Sequence, residues 1–186
     1  MFGFGEYIRG YRRFDVTQFQ ATATRVFGRW LGADQISVVG EAAASCIHDL
    51  PDKEELRLDG PATYVSGNPV HQTNPVKQLQ PTTEAASAFP GAWAWGYRLA
   101  GRLDYNNAVA GINLAPRFSW QHDVKGVSPG PGGNFLEGRR GLSLGLAAVY
   151  RYCWELDVSY TNFAGAGRYN LLSDRDFVAT TVKYSF

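Results

Sequence analysis

The chain has 186 residues, with 18 Lys and Arg against 17 Asp and Glu and a formal net charge of +1. That balance argues against a sequence-independent nucleic-acid binder, which carries a basic surface. Aromatics at 14% and 21 glycines favour β-structure with tight turns over helices, and no apolar run approaches the ~20 residues of a membrane helix.

The first residues, "MFGFGEYIRGYRRF", lack the charged lead, apolar stretch and small-residue cleavage site of a signal peptide. The expectation is a cytosolic protein, a mature product or a fragment. "DVTQFQATATRVF" then sets Phe19, Ala21, Ala23 and Phe27 against Gln18, Gln20, Thr22 and Thr24. Period two marks a strand. A short link at 28–34 leads to "QISVVGEAAASCIHD", where Ile36, Val38, Gly40, Ala42 and Ala44 alternate with Ser37, Val39, Glu41, Ala43 and Ser45. Its small residues leave a helix over Glu41 to Cys46 as a minor alternative. Residues 49–92 are polar and proline-rich and read as one long loop, with room for a short hairpin.

"WAWGYRLAGRLDYNN" is the clearest strand. Trp93, Trp95, Tyr97, Leu99, Leu103 and Tyr105 share a face opposite Arg98, Arg102 and Asp104. Asn106-Asn107 is expected to turn the chain, because Asn tolerates positive φ. The return strand carries Ile112, Leu114, Pro116, Phe118 and Trp120 on one face and Asn113, Arg117, Ser119 and Gln121 on the other. Pro116 predicts a bulge or a missing ladder bond. After a Gly/Pro-rich loop, Leu142, Leu144, Leu146, Tyr150 and Tyr152 oppose Ser143, Gly145, Val149 and Arg151. A tight turn near Cys153 leads to Trp154, Leu156, Val158 and Tyr160, alternating with Glu155, Asp157, Ser159 and Thr161. The last strand runs to Phe186, with Val178, Val182 and Tyr184 on one face and Lys183 on the other.

Seven strands thus alternate short and long connections, the layout of an up-and-down transmembrane β-barrel. Alternation does not say which face meets lipid, whereas aromatic placement does. Tyr105, Tyr150, Tyr152, Trp154, Tyr184 and Phe186 cluster toward the short turns. Trp95, Tyr97, Phe118, Trp120 and Tyr160 cluster toward the long loops, with aliphatics between. Tyr97 to Tyr105 spans roughly 26 Å along a strand, or ~20 Å of height at about 40° of tilt, close to the ~25 Å apolar band of such barrels. A bilayer sorts Trp and Tyr to its two interfaces. The aromatics are therefore read as two girdles, and Arg98, Arg102, Asp104, Arg117, Arg151, Glu155, Asp157 and Lys183 as lining a wet lumen. The plain alternative is the solvated face of a soluble sheet.

Closed bacterial barrels have even strand numbers from eight upward, and bare edges in hydrocarbon cost several kcal/mol per unpaired group. The first fourteen residues, other copies or a preceding segment are expected to complete the sheet, and the missing signal peptide favours the last.

The stretches "GRLDYNNAVAGINLAPRFSWQHDVKGVSPGPGGNFLEGRRGLSLGL" and "SYTNFAGAGRYNLLSDRDFVATTVKYSF" resemble the C-terminal part of a Gram-negative outer-membrane family, domain of unknown function 1302. "GADQISVVGEAAA" and "LRLDGPATY" extend the resemblance to nearly the whole chain. It implies that residues 1–186 are one domain, the C-terminal segment of a larger barrel in the bacterial outer membrane, with 49–92 as an extracellular loop. The terminal Val182, Tyr184 and Phe186 resemble the signal read by the outer-membrane assembly machinery. The resemblance also implies partners among export-pump or periplasmic lipid-handling components, and supplies no catalytic residue.

"SPGPGGNF" lacks the Gly-Lys-Ser/Thr ending of a phosphate loop, and no Gly-x-Ser-x-Gly elbow is present. Cys46 and Cys153 form no metal or redox motif and read as spare thiols, with a disulfide between them as the alternative. His48, His71 and His122 share no ligand spacing, although His48 and His122 could approach each other at the strand tops. Asp49, Asp52, Glu54 and Glu55 do not match a calcium loop. No enzyme, metal or cofactor is expected. The expected partners are the lipid bilayer and the assembly machinery. The expected function is passage or export of small hydrophobic or anionic compounds, and the alternative is a membrane-anchored binding or scaffold protein using its long loops.

Overall fold

The computed structural model describes residues 5, 7, 10–63, 84–130 and 133–186. Seven strands pair in sequence order into one antiparallel sheet: β1 (Val16–Phe27), β2 (Gln35–Ile47), β3 (Trp93–Val109), β4 (Ile112–Lys125), β5 (Arg140–Tyr150), β6 (Trp154–Ala164) and β7 (Phe177–Tyr184). The sheet is open, with β1 and β7 at its edges. No α-helix occurs among the described residues, so no helix crosses a membrane there; that says nothing of strands. The helical alternative for residues 41–46 is overturned, since all of β2 pairs with β1 and β3.

Register puts the alternating sets of all strands on two common faces. One row reads Val38, Gly101, Phe118, Leu144, Tyr160 and Val178 across β2 to β7. The opposite face carries Glu41 beside Arg98, Arg117 beside Gly145, and Glu155 beside Lys183. Period two in the sequence therefore becomes an apolar and a polar face, with register shifts between β3 and β4 at Trp95/Gly96 and Tyr105/Val109.

The β3–β4 hairpin differs from expectation. The chain turns at Ala110-Gly111, both at positive φ (50° and 82°), and not at Asn106-Asn107. Asn107 does take a positive φ of 51°, but as an irregularity inside the hairpin. Its Oδ1 accepts from Gly111 N, and its own N donates to Asn113 Oδ1. Glycine supplies the turn conformation at lower cost than a second Asn. Pro116 has no paired residue on the β3 side, between the Arg102–Arg117 and Tyr105–Leu114 pairs, although it pairs with Leu146 of β5. The expected missing bond is there, and the bulge lies elsewhere, at Trp95/Gly96. The β5–β6 turn uses Arg151 and Tyr152 at positive φ. Those two residues sit in the turn, not on the strand faces.

Among the described residues no second layer packs over the apolar face, and only the β4–β5 connection reaches over one end of the polar face. No large side chain is fully buried among the described residues. The buried apolar residues Ala88, Phe89, Val127 and Leu136 instead lie where the long connections meet. There Gly91 N donates to Val127 O and Gly130 N to Asp59 O. Lys53 Nζ donates to the carbonyls of Ala86 and Phe89, and burial there lowers its pKa. Arg168 pairs with the buried carboxylate of Glu84, which also accepts from Tyr169 OH at 2.9 Å. The three long connections are thus tied into one cap.

Candidate functional site

The polar face is built from small residues with a few long charged ones laid across them. Arg117 of β4 crosses β5 to reach β6, where its guanidinium grips both oxygens of Asp157 at 2.5 and 2.7 Å. The crossing needs Gly145. A Cβ there would lie 2.7 Å from the guanidinium carbon. Gln121 lies over Gly141 in the same way, with its amide nitrogen 2.6 Å from where a Cβ would be. Lys183 meets Glu155 at 2.9 Å, and Arg102 meets Asp104 at 2.8 Å. Gln20 and Thr22 of β1 both donate to Glu41. Among the described residues, Arg98 makes no ion pair, although its directly paired neighbour is Glu41.

Three hollows along this face share their walls. The largest, about 410 Å³, lies among Thr24, Ser37, Arg102, Arg117 and Ser143. The next, about 360 Å³, shares Val39, Ala100 and Ser119 with it. The third, about 160 Å³, shares Glu41 and Arg98 with the second and is walled by Asn134 and Phe135. Together they form a trough running from the short-turn half of the sheet to the long-loop end.

Asn134 and Phe135 belong to the β4–β5 connection, which folds over the polar face. Asp123 holds it. Its carboxylate accepts from Arg139 Nε at 2.7 Å and from Leu136 N at 3.1 Å, and its carbonyl accepts from Gly138 N. Glu137 accepts from Gly126 N, and Ser128 and Phe135 exchange two hydrogen bonds. Nothing in the sequence singled out Asp123. Period two places it on the polar face in register with Gln121 and Ser119, and the bulge lies just beyond it, between Asp123 and Lys125. The end of the trough is therefore a narrow place bounded by Glu41, Arg98, Asp123 and Phe135.

On the apolar face, Tyr150, Trp154 and Tyr184 form one row toward the short turns, with Trp154 and Tyr184 rings 4.6 Å apart. Phe186 follows at 6.4 Å from Tyr184, and Val182 pairs with Leu156 one row further in. Tyr105 donates to Leu31 O at that same end. Toward the long loops, Trp120 Nε1 donates to Tyr97 OH, and the Tyr97 ring packs edge-on against His122 at 5.6 Å. Trp95 pairs with Lys125 just beyond them. Phe118 sits further in, its ring covering Gly101, whose Cβ would lie 2.5 Å from it. Tyr160 shares that row and donates to Asp176. Arg25 stands on this face too, opposite Val38, its guanidinium over the Phe27 ring. The sequence reading passed over it, although period two places it there.

Asp176, just ahead of β7, accepts from Phe163 N, Asn162 Nδ2 and Tyr160 OH. The backbone N–H first, then the amide and the phenol, lower its pKa. His48 bonds Thr17 at 2.8 Å, while His122 packs on Tyr97 and Trp120. The two histidines serve different neighbours, and His71 lies outside the described residues. Cys46 and Cys153 are free thiols. Among the described residues, no three His, Cys, Asp or Glu are grouped to hold a metal.

A family model described as "Protein of unknown function (DUF1302)" matches residues 2–186. No curated protein matches, and no solved structure does.

Proposed function

The chain belongs to the DUF1302 family, and from that premise we propose that its sheet is part of a membrane-spanning β-barrel of the bacterial outer membrane, whose polar face lines a passage for small anionic or hydrophobic compounds. One observation carries the reading: among the described residues nothing covers the apolar face. Leu144, Leu146 and Leu156 are 50%, 44% and 45% exposed in the middle of the sheet. A water-soluble domain would cover them with a second layer. Acyl chains cover them equally well, and Trp and Tyr at both ends of the aliphatic band suit the two interfaces. Completion of the open sheet follows from the same premise, because hydrocarbon tolerates no unpaired strand edge.

The trough supports the choice of solute. Arg117, Lys183 and Arg102 are matched by carboxylates, so they fill and stiffen the polar face. Arg98 is unmatched and stands at the narrow end beside Phe135. An anion with an apolar body meets a cation and an aromatic wall there. The loop fastened by Asp123 makes that end the selective step.

Conductance in planar bilayers tests this. The expected result is a current biased toward anions, with Arg98→Glu shifting the bias toward cations. No current, together with no swelling of solute-loaded liposomes, counts against passage.

The cap of long connections favours one other reading, a surface-anchored binding or scaffold protein. Its buried Glu84–Arg168 tie and apolar centre give a partner an ordered surface. Deleting residues within 49–92 separates the two: passage survives the deletion, and partner binding does not.

A further inference from the structure

We propose that the apolar face carries, at its long-loop end, a binding site for the phosphate group of an anionic lipid. The site is formed by Lys125 and Arg140 with His122, Tyr97 and Trp120. The inference rests on the membrane reading above.

Across β3 to β7, charge on this face is confined to its ends; Arg25 of the edge strand β1 stands further in, with its guanidinium over the Phe27 ring. Between the aromatic rows the residues are aliphatic or small: Leu99, Gly101, Leu144, Leu146, Val158 and Val182. At the long-loop end the row Tyr97, His122 and Arg140 runs directly across β3, β4 and β5. Directly paired side chains on one face stand about 5 Å apart at Cβ. Lys125, paired with Trp95 beyond the bulge, is the next residue of that face along β4. Two cations are therefore gathered within one or two strand spacings.

Neither is neutralised. Lys125 and Arg140 make no ion pair among the described residues. The nearby acids are otherwise engaged, beginning with Glu137, which accepts from Gly126 N beside Lys125. Asp123 points to the polar face and holds Arg139, and Asp176 is saturated by three donors from β6. The aromatic floor is fixed by the Trp120–Tyr97 hydrogen bond and by the His122 ring packed against both, at 5.6 Å from Tyr97 and 6.3 Å from Trp120.

That arrangement has the chemistry of a lipid headgroup site. A phosphate takes charge-assisted hydrogen bonds from Lys and Arg. The rings below lie at the level where acyl chains begin. A soluble anion would use only the cations, whereas a lipid uses both. Long loops mark the outward side of such barrels, so the lipid belongs to the outer leaflet.

The test compares the full chain with Lys125→Gln/Arg140→Gln and with Arg12→Gln/Arg13→Gln, which removes the same charge ahead of β1. Each is equilibrated in mixed micelles with phosphatidylglycerol or phosphatidylcholine, and retained lipid is measured by native mass spectrometry. Bilayer insertion is scored separately by protease protection in vesicles. We expect the first double variant to insert normally and to lose about tenfold in phosphatidylglycerol retention, with phosphatidylcholine unchanged. The second double variant should retain both lipids as the parent does, and inorganic phosphate should not compete. Equal loss in the two variants, no loss in either, or competition by free phosphate overturns the site while leaving the membrane reading intact. A parent that does not insert even when the rest of the barrel completes its sheet overturns both.

Discussion

The two faces of this sheet share every backbone atom and nearly every hydrogen bond, yet they are held in different ways. The polar face depends on gaps. Gly145 and Gly141 leave room for Arg117 and Gln121 to lie flat across β5, so charge is matched over two strand spacings. The apolar face depends on bulk. Phe118 covers Gly101, and Trp154, Tyr184 and Phe186 stack in succession, with no charge between the aromatic rows of β3 to β7. On the proposed membrane reading, each face carries the residues that its surroundings make cheapest. A conductive lumen rewards paired charge, and lipid rewards its absence.

The comparison breaks most sharply at adjacent residues of β5. Leu144→Arg puts a charge on the apolar face, and Ser143→Arg puts the same charge on the polar face. In a bilayer the first is expected to cost ~2–4 kcal/mol. The second loses the 3.0 Å bond from Thr161 Oγ1 to Ser143, worth about 1 kcal/mol. Urea unfolding of both variants in lipid vesicles measures the difference. Equal costs would mean that the two faces meet the same solvent, and the assignment of lipid to the apolar face would be wrong.

A smaller effect sharpens the polar side. Gly145→Ala places a methyl where the Arg117 guanidinium now lies, and the pair with Asp157 must open or shift. The pair is partly solvated, with side chains 38% and 25% exposed, so the expected loss is only roughly 0.5–1 kcal/mol. The informative quantity is coupling. In an Asp157→Asn background the same substitution should cost almost nothing, because the guanidinium is already free to move. Additive costs in the cycle would show that Gly145 is kept for a backbone reason instead.

Much of this was legible from residue order alone. Period two reported both faces, because a register slip would have exchanged them and the apolar set leaves no room for one. Strand number and the alternation of short and long connections followed from the same pattern. The turn at Ala110-Gly111 was misplaced because Asn106-Asn107 offers the same positive φ by a weaker means. The strand then runs to Val109, where alternation ends. Arg151 and Tyr152 were read as strand residues for the same reason: alternation continues into a turn whose positive φ values no side chain announces. The β4–β5 connection was opaque. Glycine and proline carry no period, and the partners of the Asp123 staple, Leu136, Gly138 and Arg139, come from that connection. The Arg117–Asp157 pair was invisible too, since 40 residues separate them and only the gap at Gly145 joins them.

The gentlest test concerns the fastening of β7 to β6 at the long-loop end. Asp176 collects three donors from β6, led by the Phe163 N–H, and its carboxyl pKa is lowered on folding. A lowered pKa means that the anion is the form the fold prefers. Its contribution is complete above the ordinary carboxylate pKa and fades as pH falls through the lowered value. Hydrogen exchange at the Phe163 amide should therefore be slow at neutral pH and should quicken at acid pH beyond the intrinsic trend. Asp176→Asn should show fast exchange across the whole range, because an amide accepts the N–H less strongly and puts its own donors against Asn162 and Tyr160. The Tyr150–Trp154 end of the same strand should be unaffected by either change, since it is held by the turn at Arg151-Tyr152 and by its stacked rings. Protection lost at both ends together would mean that β6 opens as one unit, and that Asp176 does not act locally.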